Sequence, residues 1–161
     1  MRHAIPALLL AASSLAIGQT QTVPGEQAQK NGVRNCQRSI DDLAKHVVKE
    51  NKHASLGVWN SKSPDLRLFN AQVVVSYSDA KSLALLNVAP TRTGKCDGTY
   101  TTIFYTEKSC SIERETTFKD WKFSGELGGL VTVENQNGSL SKILMPAGSG
   151  CITVTTEVTY E

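Results

Sequence analysis

The stretch KCDGTYTTIFYTEKSC, residues 95–110, decides the fold because it holds two of the four cysteines of the chain. Turn-forming residues lie only at its edges, in CDG and EKS. The middle, TYTTIFYT, is β-branched and aromatic, which predicts one unbroken strand. At about 3.3 Å per residue, this strand holds Cys96 and Cys110 roughly 40 Å apart. A disulfide needs Cα atoms within about 7 Å, so each cysteine is predicted to bond elsewhere.

A helix is predicted upstream, in NCQRSIDDLAKHVVKEN, residues 35–51. Asn35 or Ser39 is the expected N-cap. Apolar residues recur there at spacings of three and four, which is the stripe of an amphipathic helix. They are Cys36, Ile40, Leu43, Val47 and Val48.

Two other segments alternate with a period of two, as strands with one buried face do. In FNAQVVVSY the expected buried residues are Phe69, Ala71, Val73, Val75 and Tyr77. In ITVTTEVTY they are Ile152, Val154, Val158 and Tyr160, while the threonines and Glu157 are expected to face water. Further strands are predicted at 83–88, 100–106, 117–123, 130–134 and 140–145.

One helix followed by six or seven strands predicts the α+β class, with an N-terminal amphipathic helix packed on a curved antiparallel sheet. This element order resembles cystatin-like and NTF2-like architecture, and no family motif accompanies it. Residues 1–18 have a basic start, an apolar run and small residues before Gln19, which predicts a signal peptide. We expect 19–34 to be a flexible mature N-terminus and 35–161 to be a single domain.

Export to the periplasm or the exterior and an even number of cysteines together predict two disulfides. If the strands form a simple meander and LGVWN (56–60) is a loop, Cys151 lies at the same end of the sheet as Cys96. The helix then starts at the opposite end, beside Cys110. The predicted pairs are therefore Cys96–Cys151 and Cys36–Cys110.

The composition excludes some partners. Removal of residues 1–18 leaves 143 residues, with 16 basic and 15 acidic side chains scattered along the chain. Nucleic acid is not expected as a partner because its binding needs a concentrated positive charge. No other apolar run has the length of a membrane span.

Candidate chemistry is sparse. His46, Glu50 and His53 share one helical face if the helix continues that far, which is a possible zinc-ligand spacing. An ordinary solvated face is the favoured interpretation, because nothing nearby supplies the remaining ligands. No metal, cofactor or catalytic set is therefore predicted.

The central strand has two fairly apolar faces, and Tyr100 and Phe104 mark one of them as a candidate binding face. A non-enzymatic secreted or periplasmic module that binds a protein or a small ligand is the predicted function. The alternative is a small secreted hydrolase that uses His46 or His53 with a carboxylate. A histidine in a pocket that touches Asp or Glu and has a shifted pKa would favour the hydrolase, whereas an apolar cavity inside the curled sheet would favour ligand binding.

Overall fold

The computed structural model describes residues 21–161, and the predicted signal peptide lies outside them. The helices are α1 (Val23–Lys30), α2 (Gln37–Val48) and α3 (Cys110–Thr116). The strands are β1 (Lys52–Val58), β2 (Phe69–Ser76), β3 (Lys81–Pro90), β4 (Cys96–Thr106), β5 (Lys122–Leu127), β6 (Leu130–Glu134), β7 (Ser141–Ala147) and β8 (Gly150–Thr159). A short 3₁₀ turn occupies Pro64–Leu66.

The strands form one antiparallel sheet in the order β1-β2-β3-β4-β8-β7-β6-β5. After β4 the chain leaves the sheet through α3, reaches the far edge at β5 and returns strand by strand until β8 pairs with β4. The antiparallel sheet with a helix before it is confirmed. The predicted strand number is wrong, as eight strands are present, and two helices besides the expected one are found among the described residues.

The prediction of a flexible segment at 19–34 is wrong for Val23–Lys30, which form α1. Thr22 caps this helix by accepting a hydrogen bond of 3.3 Å from the Gly25 N–H. Ala28 of α1 is completely buried in the core that α1 and α2 form with the sheet. The polar composition of α1 concealed a helix whose stability comes from packing rather than from amphipathic pattern.

The disulfides join Cys36 to Cys96 and Cys110 to Cys151, with Cα–Cα distances of 5.7 and 4.8 Å. The prediction that Cys96 and Cys110 do not pair is confirmed, but both predicted pairs, Cys96–Cys151 and Cys36–Cys110, are wrong. Cys36 is also the N-cap of α2, in place of the expected Asn35 or Ser39.

The chain runs from one end of the sheet to the other two more times than predicted, and this explains why the cysteines have other partners than expected. The segment LGVWN is not a loop, because residues 56–58 belong to β1, and this strand moves the start of α2 to the end of the sheet that holds Cys96. Of the strand predicted at 117–123, residues 117–121 instead form a segment after α3 that adds a pass, and β5 begins only at Lys122. This second pass moves Cys151 to the end that holds Cys110.

The two faces of the sheet differ sharply. The inner face, which the helices cover, carries the buried residues of β2 as the alternation predicts: Phe69, Ala71, Val73 and Val75. In β8 the prediction is reversed. Thr155 is only 4% exposed on the inner face, whereas Val158 is 49% exposed on the opposite, outer face. The register with β4 decides this, because Thr155 lies opposite Thr102 and Glu157 opposite Tyr100.

Two apolar cores lie against the inner face. The larger one packs α1 and α2 onto β2, β3 and β4 and includes the Cys36–Cys96 disulfide. The smaller one gathers Phe118, Val133, Leu144 and Cys151 beneath α3. A stretch of the inner face between them is left without helical cover, and this is where the candidate site lies.

Candidate functional site

A cleft opens on the inner face between the β2–β3 turn and the segment that follows α3. Its volume of about 470 Å³ lies in the range of small-ligand sites. Tyr77 and Phe104 meet edge to face in it, with ring centroids 6.0 Å apart. We call this site the inner cleft and define it by its lining residues: Tyr77, Ser78, Asp79, Ser82, Thr102, Phe104, Phe118, Lys142 and Thr153.

The amine of Lys142 lies over two aromatic rings at one side of the inner cleft. Its Nζ is 5.3 Å from the ring centroid of Trp121 and 5.9 Å from that of Phe118. It donates a hydrogen bond of 2.6 Å to Thr155 Oγ1 on the neighbouring strand. Burial lowers the pKa of Lys142, and the negative charge of Glu157 acts in the opposite direction.

Lys142 forms no close ion pair with the described part of the chain, where the ion pairs within 4.0 Å are Lys30–Glu26 and Arg38–Asp42. A cation that is partly desolvated and not paired at contact distance attracts an anionic ligand more strongly than a solvated lysine does. The inner cleft therefore combines a positive charge with aromatic walls.

A chain of hydrogen bonds links α2 to the sheet beside the inner cleft. The Tyr100 hydroxyl donates to Glu157 Oε1 and lies 2.9 Å from His46 Nε2. Because the Tyr100 proton is directed at Glu157, His46 Nε2 carries the proton of the second bond. Burial, followed by the hydrogen bond and the charge of Glu157, raises the pKa of Tyr100. Tyr100 thus keeps its proton at neutral pH.

A second, smaller cavity of about 270 Å³ opens next to the hydrogen bonds of His46, Tyr100 and Glu157. Three acidic residues line it, namely Asp42, Glu157 and Glu161, and Ser39 stands among them, donating a hydrogen bond to Glu161. We call it the α2 pocket. Its full lining is Ser39, Asp42, Leu43, His46, Cys96, Tyr100, Glu157, Thr159 and Glu161.

His53 has a structural role. Its Nε2 accepts a hydrogen bond of 3.1 Å from the Val23 N–H, and its Nδ1 lies 3.0 Å from the Asn51 carbonyl oxygen, to which it donates. Both ring nitrogens are therefore occupied in tying the start of α1 to β1. His53 has no free nitrogen for catalysis in this arrangement.

His46, Glu50 and His53 do not lie on one helical face, which the zinc-ligand spacing required. Helix α2 ends at Val48 and His53 lies in β1, so the three residues share no helical face. In the part of the chain covered by the structure, no group of three or more His, Cys, Asp or Glu side chains is placed to hold a metal ion.

The two residues of the candidate binding face are both on the inner face but have different surroundings. Phe104 lines the inner cleft. Tyr100 is 5% exposed and packs against His46, with ring centroids 5.0 Å apart. Whether either residue binds a ligand stays a prediction.

Sequence reasoning missed Lys142 and Glu157. Each is the one charged residue of its strand, SKILMPA for Lys142 and GCITVTTEVT for Glu157. A single charge in a strand of uncharged residues was the signal that could have indicated a functional role. The pairing of β7 with β8, which places Lys142 opposite Thr155, cannot be read from either segment alone.

Two disulfides are typical of proteins that fold in an oxidising, extracytoplasmic environment. None of the helices within residues 21–161 has the length and hydropathy that a membrane span requires. Comparison with protein-family models, with curated proteins and with solved structures finds no match for this chain.

Proposed function

We propose that this protein is a secreted or periplasmic, non-enzymatic binding protein that takes a small organic anion with an apolar body in the inner cleft. The observation that carries the proposal is the position of Lys142, whose amine lies at the cleft over two aromatic rings and has no carboxylate at contact distance among residues 21–161. Rings of Tyr77, Phe104 and Phe118 would pack against the apolar body.

The hydroxyl groups of the cleft support an oxygen-rich head group rather than a purely apolar ligand. Ser82 is buried in the cleft lining, where its hydroxyl can donate to such a group, whereas Thr153 Oγ1 already donates to the Phe104 carbonyl oxygen at 3.4 Å. Asp79 lies at the exposed rim, where its charge is solvated. An anion would therefore approach Lys142 from inside the cleft, away from Asp79.

Titration of the oxidised protein, residues 19–161, with 4-phenylbutyrate tests this proposal by amide and methyl chemical shifts in NMR spectra. We expect shifts confined to the inner cleft, and none with the neutral 4-phenylbutyramide at the same concentration. Because a hydrogen bond to a charged group contributes about 1.5–3 kcal/mol, Lys142→Met should weaken binding about 10- to 150-fold.

The matched control is Lys119→Met, which removes an exposed lysine one residue from Phe118 and outside the cleft lining. Its affinity for 4-phenylbutyrate should equal that of the unmodified protein. Equal affinity of both variants, or shifts spread over the surface instead of the cleft, would contradict the proposal.

Hydrolysis is a second candidate function, and the hydrogen-bonded chain from His46 through Tyr100 to Glu157 is the observation that favours it. Such a chain orients an imidazole beside a pocket, as acid–base catalysis requires. Tyr100 itself is a poor nucleophile because its raised pKa keeps it protonated. Release of p-nitrophenol from p-nitrophenyl acetate at a rate that falls at least about 100-fold in His46→Gln would support this candidate; equal rates would remove it.

A further inference from the structure

The outer face of the sheet is apolar and has no helix over it. In the row that crosses six neighbouring strands, the side chains belong to Ala54, Val74, Leu83, Ile103, Val154 and Ile143. Further apolar residues flank this row on the same face: Leu56, Val58, Leu85, Tyr105, Met145, Ile152 and Val158.

Several of these side chains are strongly exposed in the single chain. Leu56 is 62% exposed, Val74 40% and Val158 49%. The remaining positions between them are uncharged, being Asn70, Gln72, Asn87, Thr99, Thr101 and Thr156. Charged residues of this face lie at strand ends, at Lys52, Lys81, Asp97, Lys122 and Glu134.

Strand β8 shows most clearly that this face is built to be covered. An antiparallel sheet with one solvated face normally places polar residues on that face. β8 does the opposite: Thr153 and Thr155 are buried inside, while Ile152, Val154 and Val158 lie outside. Exposed apolar patches of this extent mark interaction surfaces.

We propose that the outer face is the contact surface of a homodimer, in which the sheets of two copies pack face to face. The centre of the face has no charges and so gives no electrostatic preference to a charged partner, and depletion of charged residues is the mark of an interface core. A two-fold dimer needs only this one surface, because the same patch serves both copies. Packed sheets stand about 10 Å apart, a distance that interleaved Val, Ile and Leu side chains fill.

The size of the face agrees with a dimer. Six strands at about 4.8 Å spacing and about six residues at 3.3 Å each give a footprint of roughly 24 by 20 Å, about 480 Å². Side-chain relief makes the accessible area larger than this footprint. A standard interface covers about 800 Å² of accessible surface on each partner and a small, weak one less than about 600 Å², so the face fits a small interface and a dimer of micromolar affinity.

Sedimentation equilibrium of the oxidised protein, residues 19–161, tests the proposal directly. We expect twice the mass of one chain at about 100 µM and dissociation only at or below about 10 µM, which corresponds to an ordinary dimer affinity. The double variant Val74→Lys/Val158→Lys should dimerise at least about 100-fold more weakly, because each interface would bury four unpaired ammonium groups.

The double variant Leu66→Lys/Leu68→Lys is the matched control, because these leucines are 69% and 51% exposed but lie outside the sheet. It should dimerise as the unmodified protein does. A soluble nitroxide provides a second measurement on the unmodified protein, since it should broaden the methyl signals of Leu66 but leave those of Val74 and Val154 sharp.

A monomeric unmodified protein at about 100 µM, or equal weakening by both double variants, overturns the proposal. Broadening of Val74 as strong as that of Leu66 overturns it too. Association of a monomer with phospholipid vesicles through Val74 would assign the outer face to a membrane surface instead of a second copy.

Discussion

Loss of the Cys110–Cys151 disulfide is expected to lower the free energy of unfolding by about 4 kcal/mol. The cysteines are separated by 41 residues, for which the chain-entropy relation gives about 3.9 kcal/mol. This is a large share of the about 5–15 kcal/mol that stabilises a typical domain. At about 2–4 °C per kcal/mol for a chain of this size, the Tm should fall by about 8–16 °C.

Removal of the Cys110–Cys151 disulfide should also destabilise the structure locally, at the inner cleft. The bond joins the first residue of α3 to β8, and the segment after α3 carries Phe118 into the cleft. Phe118, Val133 and Leu144 form the small core around this disulfide. Hydrogen exchange should therefore accelerate first in α3, β5 and β6, while β2 and β3 stay protected.

The assay is denaturant unfolding of the variant Cys110→Ser/Cys151→Ser, followed by circular dichroism. Cys36→Ser/Cys96→Ser is the control, since its cysteines are 60 residues apart and the same relation gives about 4.3 kcal/mol. The two variants should lose similar stability, but only the first should expose the small core. A loss below about 1 kcal/mol in the first variant, or a non-reducing peptide map that pairs Cys96 with Cys151, would contradict this prediction.

Three further changes test individual contacts. Burial raises the pKa of Tyr100 above 10.0, so the free energy of unfolding should fall as pH rises beyond about 10; Tyr100→Phe should flatten that fall in an alkaline unfolding series. His53→Leu leaves the Val23 N–H without its acceptor and should cost about 1–3 kcal/mol in denaturant unfolding. In Gly150→Ala the new Cβ would stand 2.3 Å from the Thr106 carbonyl oxygen, and calorimetry should show a loss of about 1–3 kcal/mol or more; an unchanged Tm would contradict that contact.

Local patterns predicted the elements that are regular by themselves. Ile40, Leu43, Val47 and Val48 are buried on α2 as their spacing indicates, and β2 buries the residues that its alternation selects. The α1 helix was not predicted because its sequence has no apolar stripe, although Pro24, Gly25 and Ala28 are buried. Its burial depends on packing against α2 and β1, which lie outside the segment 19–34.

The candidate site was less accessible to sequence reasoning than the fold. His46 was recognised as chemically interesting, but its partner Tyr100 is 54 residues away and Glu157 lies a further 57 residues on. Neither spacing forms a motif. Only the pairing of β4 with β8 brings the tyrosine and the glutamate together.

The antiparallel sheet and the amphipathic helix before it could be predicted from the amino-acid sequence, because hydrophobic period is a local property. The sequence also excluded a bond between Cys96 and Cys110, because a continuous strand is stiff. The disulfide partners, the inward direction of Thr153 and Thr155 in β8 and the position of Lys142 at a cleft depend on the tertiary structure. Each of these depends on how many times the chain crosses the sheet and in which register it pairs, and one additional crossing reverses the end at which every later residue lies.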